Sequence, residues 1–232
     1  MPVEVRIISI GALANHPLRN EIGERRSGHA TTTLLISGKN RIIVDPSLPP
    51  DYLRQRLDER TGEPPEAITH VFLTDLRPDR RRGLSLFPEA EWLVGEAERD
   101  AYRAALRDKM VELDDDEELD RDTERLLEEE ERVVTRFGSA PDQIAEGIDL
   151  FPLPGVTPGL CGLLMPMPRT TALVCGDAIP TLEHLEQGVV LSHVADLEKA
   201  RESFKEAVEI ADILVLGRDN LVPNPIRPLG MR

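Results

Sequence analysis

The chain has 232 residues, of which 40% are hydrophobic and 31% are charged, so it is long enough to fold around a substantial apolar core. Only 3% of the residues are aromatic, and the core must therefore consist mainly of Val, Ile, Leu and Ala. The net charge of −15 argues against a nucleic-acid partner, and no apolar stretch approaches the roughly 18 residues that cross a bilayer.

The two cysteines and the first residues of the chain bear on its location. Cys161 and Cys175 have neither metal-ligand nor redox spacing, which favours buried, inert thiols and a reducing compartment. Residues 3–10 form a strand-like run without the basic and apolar regions of a signal peptide. We therefore expect a cytoplasmic protein without a membrane association.

The negative charge is concentrated in one segment. Residues 112–131 contain thirteen acidic residues and two arginines, and so carry most of the net charge. A solvated helix or a surface insertion is the ordinary interpretation of such a segment, and a docking surface for a basic partner is the alternative. Residues 96–147, which include it, are interpreted as an acidic helical insertion.

The first half of the chain predicts a hairpin followed by a helix. Residues 31–37 and 41–45 are β-rich and are separated by Gly38-Lys39-Asn40, which indicates a glycine turn. Residues 51–60 then predict a short helix whose inward side chains are Tyr52, Leu53 and Leu57.

Two apolar runs and a long helical region follow. The run at residues 68–73 does not alternate, as expected for a strand covered on both faces, and residues 91–94 predict another strand. Residues 96–136 are predominantly helical, and Asp114-Asp115-Asp116 is expected to break them into two helices. A turn-rich stretch begins at Gly138.

The second half predicts more strands and the clearest helix. The strand candidates are residues 148–153, 161–165, 171–175 and 213–216. The helix spans residues 196–211 and has Asp196 as N-cap. Its apolar stripe contains Leu197, Ala200, Phe204, Ala207, Val208 and Ala211. Residues 221–232 are interpreted as a tail along the surface. The mixture of strands and helices, without a repeat or linker, indicates one layered α/β domain over residues 1–232.

Four of the apolar strands end in polar or otherwise distinctive loops. The loop after Leu73 reads T-D-L-R-P-D-R, and the one after Leu153 reads P-G-V-T-P-G-L. The other two contain Gly176-Asp177 and Gly217-Arg218-Asp219. Loops that leave one edge of a rigid sheet are where functional sites are usually built.

These loops resemble those of the metallo-β-lactamase superfamily, whose signature loop reads T-H-x-H-x-D-H. The resemblance extends from residue 3 to about residue 220 and includes T-T-T-L-L-I and I-I-V-D-P-S-L-P-P in residues 31–57. It implies the αββα sandwich of that superfamily (α+β), with two mixed β-sheets flanked by helices. It also implies an ancestral zinc-dependent hydrolysis of esters, lactones or thioesters.

The resemblance assigns seven positions to metal ligands, and two of them keep the ligand residue. The two retained ligands are Asp79 and Asp177. The five histidine positions hold Asp75, Arg77, Arg80, Leu160 and Arg218.

Zinc sites are built from neutral imidazoles and carboxylates, and guanidinium cannot lose its proton to become a ligand. We therefore expect neither zinc nor another cofactor. If a metal binds at all, a harder ion such as Mg²⁺ on Asp75, Asp79 and Asp177 is the alternative. The three arginines are instead expected to bridge the three aspartates, unless they turn into solvent.

The chain has five histidines, and all of them lie elsewhere. His70 is interpreted as a residue of a strand. His16, His29, His184 and His193 lie in loops that could overhang the site. Thr74 is expected to position the signature loop.

Three functions remain open. The first is a catalytically silent member of the superfamily (a pseudoenzyme) that binds a small molecule or a protein, or has a structural role. The second is a metal-dependent hydrolase of ester, lactone or thioester type with a remodelled site. The third is a partner-binding protein that acts through the acidic helices. The sequence names neither the substrate, the partner nor the oligomeric state, because function belongs to the site and not to the scaffold.

Overall fold

The computed structural model describes residues 3–114 and 121–226. Two mixed six-stranded sheets lie face to face, and helices cover their outer faces, which confirms the predicted αββα sandwich. No helix in the described ranges is long and apolar enough to cross a membrane.

The first sheet contains the strands of the first half of the chain. They are β1 (Glu4–Ser9), β2 (Thr32–Ser37), β3 (Asn40–Val44), β4 (His70–Leu73), β5 (Glu91–Val94) and β6 (Gly138–Ser139), and they pair in this order. The pairs β1–β2 and β2–β3 are antiparallel, whereas β3, β4, β5 and β6 run parallel to one another. The predicted hairpin is confirmed, and Gly38 takes a φ of 58° in its turn.

The second sheet contains the remaining strands, also in chain order. They are β7 (Gln143–Ala145), β8 (Ile148–Pro152), β9 (Cys161–Pro166), β10 (Thr171–Val174), β11 (Ile213–Val215) and β12 (Leu221–Pro223). Only β10 and β11 pair in parallel, and the other neighbours are antiparallel.

Among the described residues, five α-helices connect or cover the sheets. They are α1 (Pro50–Thr61), α2 (Glu96–Asp114), α3 (Arg121–Thr135), α4 (Leu182–Gln187) and α5 (Leu197–Ile210). The Asp196 side chain accepts a 3.1 Å hydrogen bond from the Lys199 amide, so the predicted N-cap of α5 is confirmed. The expected break in the acidic region falls largely on residues 115–120, which lie outside the described residues.

The core is divided into three apolar layers by the two sheets. In β4, Val71 and Leu73 pack on the outer side of the first sheet, and Phe72 packs between the sheets. This strand is therefore covered on both faces, as its unbroken apolar run predicts. Phe204 and Ala207 of α5 belong to the third layer, against the second sheet.

Two local predictions are wrong. Tyr52 is 66% exposed and Leu197 is 45% exposed, so neither points into the core. The end of the segment interpreted as an insertion contains β6 and β7, which pair with β5 and β8. The expected tail begins with β12, whose Leu221 pairs with Val215.

Candidate functional site: a buried Asp–Arg network

The predicted site residues come together at the ends of parallel strands. Asp45 follows β3 and Asp75 follows β4, and these strands are parallel neighbours in the first sheet. Asp177 follows β10 and Arg218 follows β11, which are the parallel pair of the second sheet. The carboxyl ends of parallel strands lie at one edge, and both sheets turn this edge toward the same network of side chains.

Arg80 occupies the centre of this network. Its side chain is 0% exposed. Its Nε donates to Asp75 Oδ2 over 2.5 Å, and its Nη1 donates to Asp45 Oδ2 over 2.7 Å. Its Nη2 lies 2.6 Å from Asp177 Oδ1, a contact that pairs the charges but has no hydrogen-bond geometry. One guanidinium thus joins three carboxylates.

Two further arginines complete the network. Arg77 bridges two carboxylates, with Nη2 at 2.6 Å from Asp75 Oδ2 and 2.7 Å from Asp177 Oδ2. Arg218 donates to Asp177 from Nε over 3.0 Å and from Nη2 over 2.9 Å, and also pairs with Asp79. The expected bridging of the three aspartates by three arginines is therefore present in the structure.

Asp45 is a fourth carboxylate that the sequence reasoning missed. It accepts hydrogen bonds from the Thr74 amide over 2.9 Å and from the Thr74 hydroxyl over 2.7 Å. With Asp45 included, four carboxylates face three guanidiniums, and the network has a formal charge of −1, whereas three aspartates and three arginines alone would sum to zero. The available signal was its place at the end of a strand in the D-P-S segment.

The backbone of Asp45 directs its carboxylate inward. Its φ of 47° lies in the left-handed region, which is uncommon for a residue other than glycine. Its amide still donates to the Phe72 carbonyl over 3.0 Å. Such a conformation persists only where the surroundings hold it, and here Thr74 holds both carboxylate oxygens. Thr74, which the sequence predicts to position the signature loop, thus binds the Asp45 carboxylate.

The carboxyls of the network differ in acidity. Burial raises the pKa of Asp45 to about 6, although Arg80 counteracts it. Burial also disfavours the charged form of Asp177, but Arg218, Arg80 and Arg77 outweigh it and hold the pKa of Asp177 well below its usual value. Asp75 is likewise held at a lowered pKa against burial, by Arg80 and Arg77.

Two glycines allow the two sheet ends to approach each other. A Cβ atom on Gly217 would lie 2.3 Å from the Gly176 carbonyl oxygen and 2.6 Å from Asp177 Oδ1. Gly176 has a φ of 52°, and a Cβ there would lie 2.9 Å from the Thr74 hydroxyl oxygen. A side chain at Gly217 would therefore clash with Asp177, and one at Gly176 would clash with Thr74.

Leu160 does not join the network and belongs to the apolar layer beneath α5, where it is fully buried. The neighbouring Gly159 amide donates to Glu98 over 3.1 Å, as does the Leu76 amide. Glu98 also accepts a 2.7 Å hydrogen bond from the Thr157 hydroxyl, and burial raises the pKa of Glu98. The sequence analysis missed this carboxylate. It joins the loop after β4, which contains Leu76, to the loop after β8, which contains Thr157 and Gly159.

Two of the histidines form a separate buried cluster. His16 Nε2 lies 3.1 Å from both Thr181 Oγ1 and Glu183 Oε2, and Thr181 Oγ1 lies 2.8 Å from His184 Nδ1. Burial lowers the pKa of His184 to about 4, with His16 acting in the same direction. These contacts hold the N-terminal loop against the loop after Asp177, and none of them reaches the network.

The other three histidines also lie outside the network. His29 has both ring nitrogens 3.1 Å from backbone carbonyls, and His193 is exposed. His70 begins β4 and contacts Thr69 and Glu91, as expected for a residue of a strand.

The groups that could hold a cation are the four carboxylates of the network, and each of them faces a guanidinium. Among residues 3–114 and 121–226, no three His, Cys, Asp or Glu side chains are arranged as a ligand set. The positive charge at this edge is supplied by Arg77, Arg80 and Arg218. The donor set therefore does not fit zinc, which needs neutral or anionic ligands with free lone pairs.

The sequence matches the family model of the metallo-beta-lactamase superfamily over residues 26–216. The chain belongs to this superfamily. Among curated proteins, none matches it.

Solved structures share the fold at low sequence identity. A Thermotoga maritima protein classed with the metallo-beta-lactamases is 19% identical, with a TM-score of 0.67, and the match covers 96% of this chain and 100% of that one. A quorum-quenching N-acyl homoserine lactone lactonase is 19% identical, with a TM-score of 0.64 and coverages of 94% and 93%.

A third similar structure is a variant of the B. thuringiensis protein AiiA with N-decanoyl-L-homoserine at its active site. It is 18% identical to this chain, with a TM-score of 0.65 and coverages of 94% and 94%. Identities this low extend the likeness to the fold alone.

Proposed function

We propose that this protein is a non-hydrolytic member of the metallo-beta-lactamase superfamily, in which an Asp–Arg network has replaced the metal centre. The observation that carries the proposal is the position of Arg80, whose guanidinium is 0% exposed and lies among Asp45, Asp75 and Asp177. The protein would then act as a binding or structural module rather than as a zinc enzyme.

Electrostatics supports this proposal. A single guanidinium about 4 Å from a divalent cation costs roughly 8 kcal/mol at an effective dielectric constant near 20. Arg80 could not escape this cost by losing its proton, because its three carboxylate neighbours outweigh burial and raise its pKa well above the usual value. A cation at the centre of the network would have to displace Arg80 first.

The chemistry of the missing ligands supports it as well. Leu160 is buried in the apolar layer beneath α5, where it offers no lone pair. Arg77 and Arg218 use their donors on carboxylates that would otherwise be free to bind a metal. The loss of the imidazoles and the pairing of the carboxylates with arginines both weaken metal binding.

A hydrolase with a remodelled site is the second candidate. Similar structures include lactone lactonases, and the pKa of Asp45, at about 6, would suit a general base. However, Asp45 is only 2% exposed and both its oxygens are bound by Thr74 and Arg80. A substrate could not reach this carboxyl without breaking the network.

An activity screen with a restored site tests the proposal. The natural chain and a restored variant would be assayed on lactone, ester and thioester substrates with added zinc. The restored variant combines Asp75→His, Arg77→His, Arg80→His, Leu160→His and Arg218→His. We expect no turnover by the natural chain. Zinc-dependent turnover by the natural chain, abolished by Asp177→Asn, would contradict the proposal. Turnover by the restored variant would show that the scaffold still supports the chemistry.

A further inference from the structure

A cavity of about 560 Å³ lies between the end of β1 and the exposed face of α1. Ile8, Ile10 and Leu48 form apolar parts of its lining, and Tyr52 of α1 stands beside them. This volume falls within the usual range for small-molecule sites. The cavity shares no residue with the Asp–Arg network.

Three arginines also line this cavity. Arg56 and Arg60 follow Tyr52 at intervals of four residues, so the three side chains form one stripe along α1. Arg82 reaches the cavity from the loop after Arg80 and donates to the Gly28 carbonyl over 3.0 Å. Like charges at i and i+4 on a helix repel each other, and an anion between them would relieve that repulsion.

The positive charge of the cavity is only partly compensated. Arg56 pairs with Glu59 over 2.8 Å. In the part of the chain that the structure describes, neither Arg60 nor Arg82 lies within ion-pair distance of a carboxylate. Two guanidiniums without a carboxylate at ion-pair distance therefore share one concave surface, although Glu59 also attracts Arg60, in a chain whose net charge is −15.

Two side chains that line the cavity are exposed to solvent. Ile10 is 47% exposed and Tyr52 is 66% exposed. The sequence predicts that Tyr52 points into the core, whereas in the structure it is exposed beside the cavity. A ligand with an apolar body would cover both side chains and regain burial free energy.

We propose that this cavity binds a small amphipathic carboxylate, whose head group contacts Arg60 and Arg82 and whose apolar body covers Ile10 and Tyr52. Charge complementarity selects the anion, since guanidinium forms bidentate pairs with carboxylates. Because the lining residues form a cavity, a small soluble molecule fits them better than a flat membrane surface does. The inference goes beyond the proposed function and does not depend on the state of the network.

Calorimetric titration with decanoate, kept below its aggregation concentration, tests this proposal on the full chain. We expect saturable binding of one decanoate per chain. The uncharged analogue decan-1-ol should bind at least about tenfold more weakly, a difference that corresponds to the loss of about 1.4 kcal/mol. Decyl phosphate and anionic phospholipid vesicles serve as further probes of the head group and of a membrane source.

Surface variants locate the site. The double variant Arg60→Gln/Arg82→Gln should weaken decanoate binding about tenfold or more. Arg54→Gln, on the same helix but lining a different cavity, is the matched control and should change it less than twofold. All three side chains are exposed, so the folded state of each variant can be checked by its melting temperature.

Four results would overturn the proposal: no decanoate binding, equal binding of decanoate and decan-1-ol, unchanged binding in the double variant, or binding to vesicles alone. Tighter binding of decyl phosphate than of decanoate would overturn the carboxylate assignment. None of these results bears on the metal content of the network, so the two proposals can fail separately.

Discussion

Arg80 donates from Nε to Asp75 Oδ2 over 2.5 Å, and neither side chain is exposed to solvent. By resemblance to the superfamily, both residues stand at positions where histidines would bind metal. A cation–anion pair of the protein's own side chains thus lies where neutral ligands are expected. Removing one partner of such a pair leaves a buried, unpaired charge, which destabilises the folded state.

Asp177 is the carboxylate on which all three arginines converge, and its replacement should destabilise the fold. We expect Asp177→Asn to lower the free energy of unfolding by about 3–5 kcal/mol, the usual cost of breaking a buried ion-pair network. Chemical denaturation would measure it, with exposed Asp142→Asn as the matched control. EDTA should leave the melting temperature of the natural chain unchanged. A neutral Asp177→Asn together with destabilisation by EDTA would show that a metal, and not the arginines, holds this carboxylate.

Removal of Arg80 should convert the network into a cation site. Arg80→Ala leaves Asp45, Asp75 and Asp177 around the space of the lost guanidinium, and three carboxylates suit Mg²⁺ or Mn²⁺. We expect the melting temperature of this variant to fall and then to rise with added Mn²⁺. Arg54→Ala, at an exposed position of α1, should show neither effect.

The natural chain gives the decisive comparison for that experiment. Its melting temperature should not respond to Mn²⁺, because Arg80 fills the space. A rise of equal size in the natural chain and in Arg80→Ala would mean that the arginine does not compete with a cation. Should Arg80→Ala fail to fold, Arg80→Met keeps most of the volume and allows the same titration.

The fold and most of the network could be predicted because local patterns determine them. The unbroken apolar run before Asp75 predicted a doubly covered strand, and the signature loop predicted which side chains meet at its end. Asp45 escaped prediction because its inward direction depends on a left-handed backbone conformation and on Thr74, 29 residues away. Glu98 escaped because an acidic residue in the first turn of a helix is ordinary.

Tyr52 shows where helical periodicity is ambiguous. Leu53 and Leu57 define the buried face of α1, and Tyr52 is adjacent to Leu53 in sequence. The sequence pattern is therefore compatible with either a buried or an exposed position for Tyr52. In the structure, Tyr52 instead shares the outer stripe with Arg56 and Arg60. Packing against β1, which no local pattern specifies, decides between the two.

Asp45 and Asp177 should give opposite pH dependences. The pKa of Asp45 rises from 3.8 in the unfolded chain to about 6 in the folded chain, so the folded state binds a proton more tightly there. Its contribution to stability is present below pH 4 and is lost as the pH rises through 6, at most about 3 kcal/mol for a shift of this size. The pKa of Asp177 is lowered, so its contribution is present above pH 4 and is lost as the pH falls.

Denaturation at several pH values measures this difference. The stability of the natural chain relative to Asp45→Asn should decrease between pH 4 and pH 7. Relative to Asp177→Asn it should decrease only as the solution becomes more acidic than about pH 4. Parallel curves for the two variants would contradict the assigned protonation states.

The cysteines should be unreactive in the folded protein. Cys175 is fully buried and burial raises the pKa of its thiol far above the usual value, while burial raises the pKa of Cys161 to about 11. The thiolate is the reactive form. We expect less than about a tenth of the thiols to react with a disulfide reagent at pH 8 in the native state, and both to react after unfolding. Rapid labelling of the native protein would show that the core opens.

Metal content by elemental mass spectrometry is the most direct test of the central claim. The measurement requires tag-free protein purified without chelator, with a zinc-binding member of the superfamily prepared in parallel as the control. Replacement of the metal centre by the Asp–Arg network predicts less than about 0.1 zinc, manganese or iron per chain, since a cation beside Arg80 would face a cost of several kcal/mol. One or two equivalents of metal per chain would contradict it.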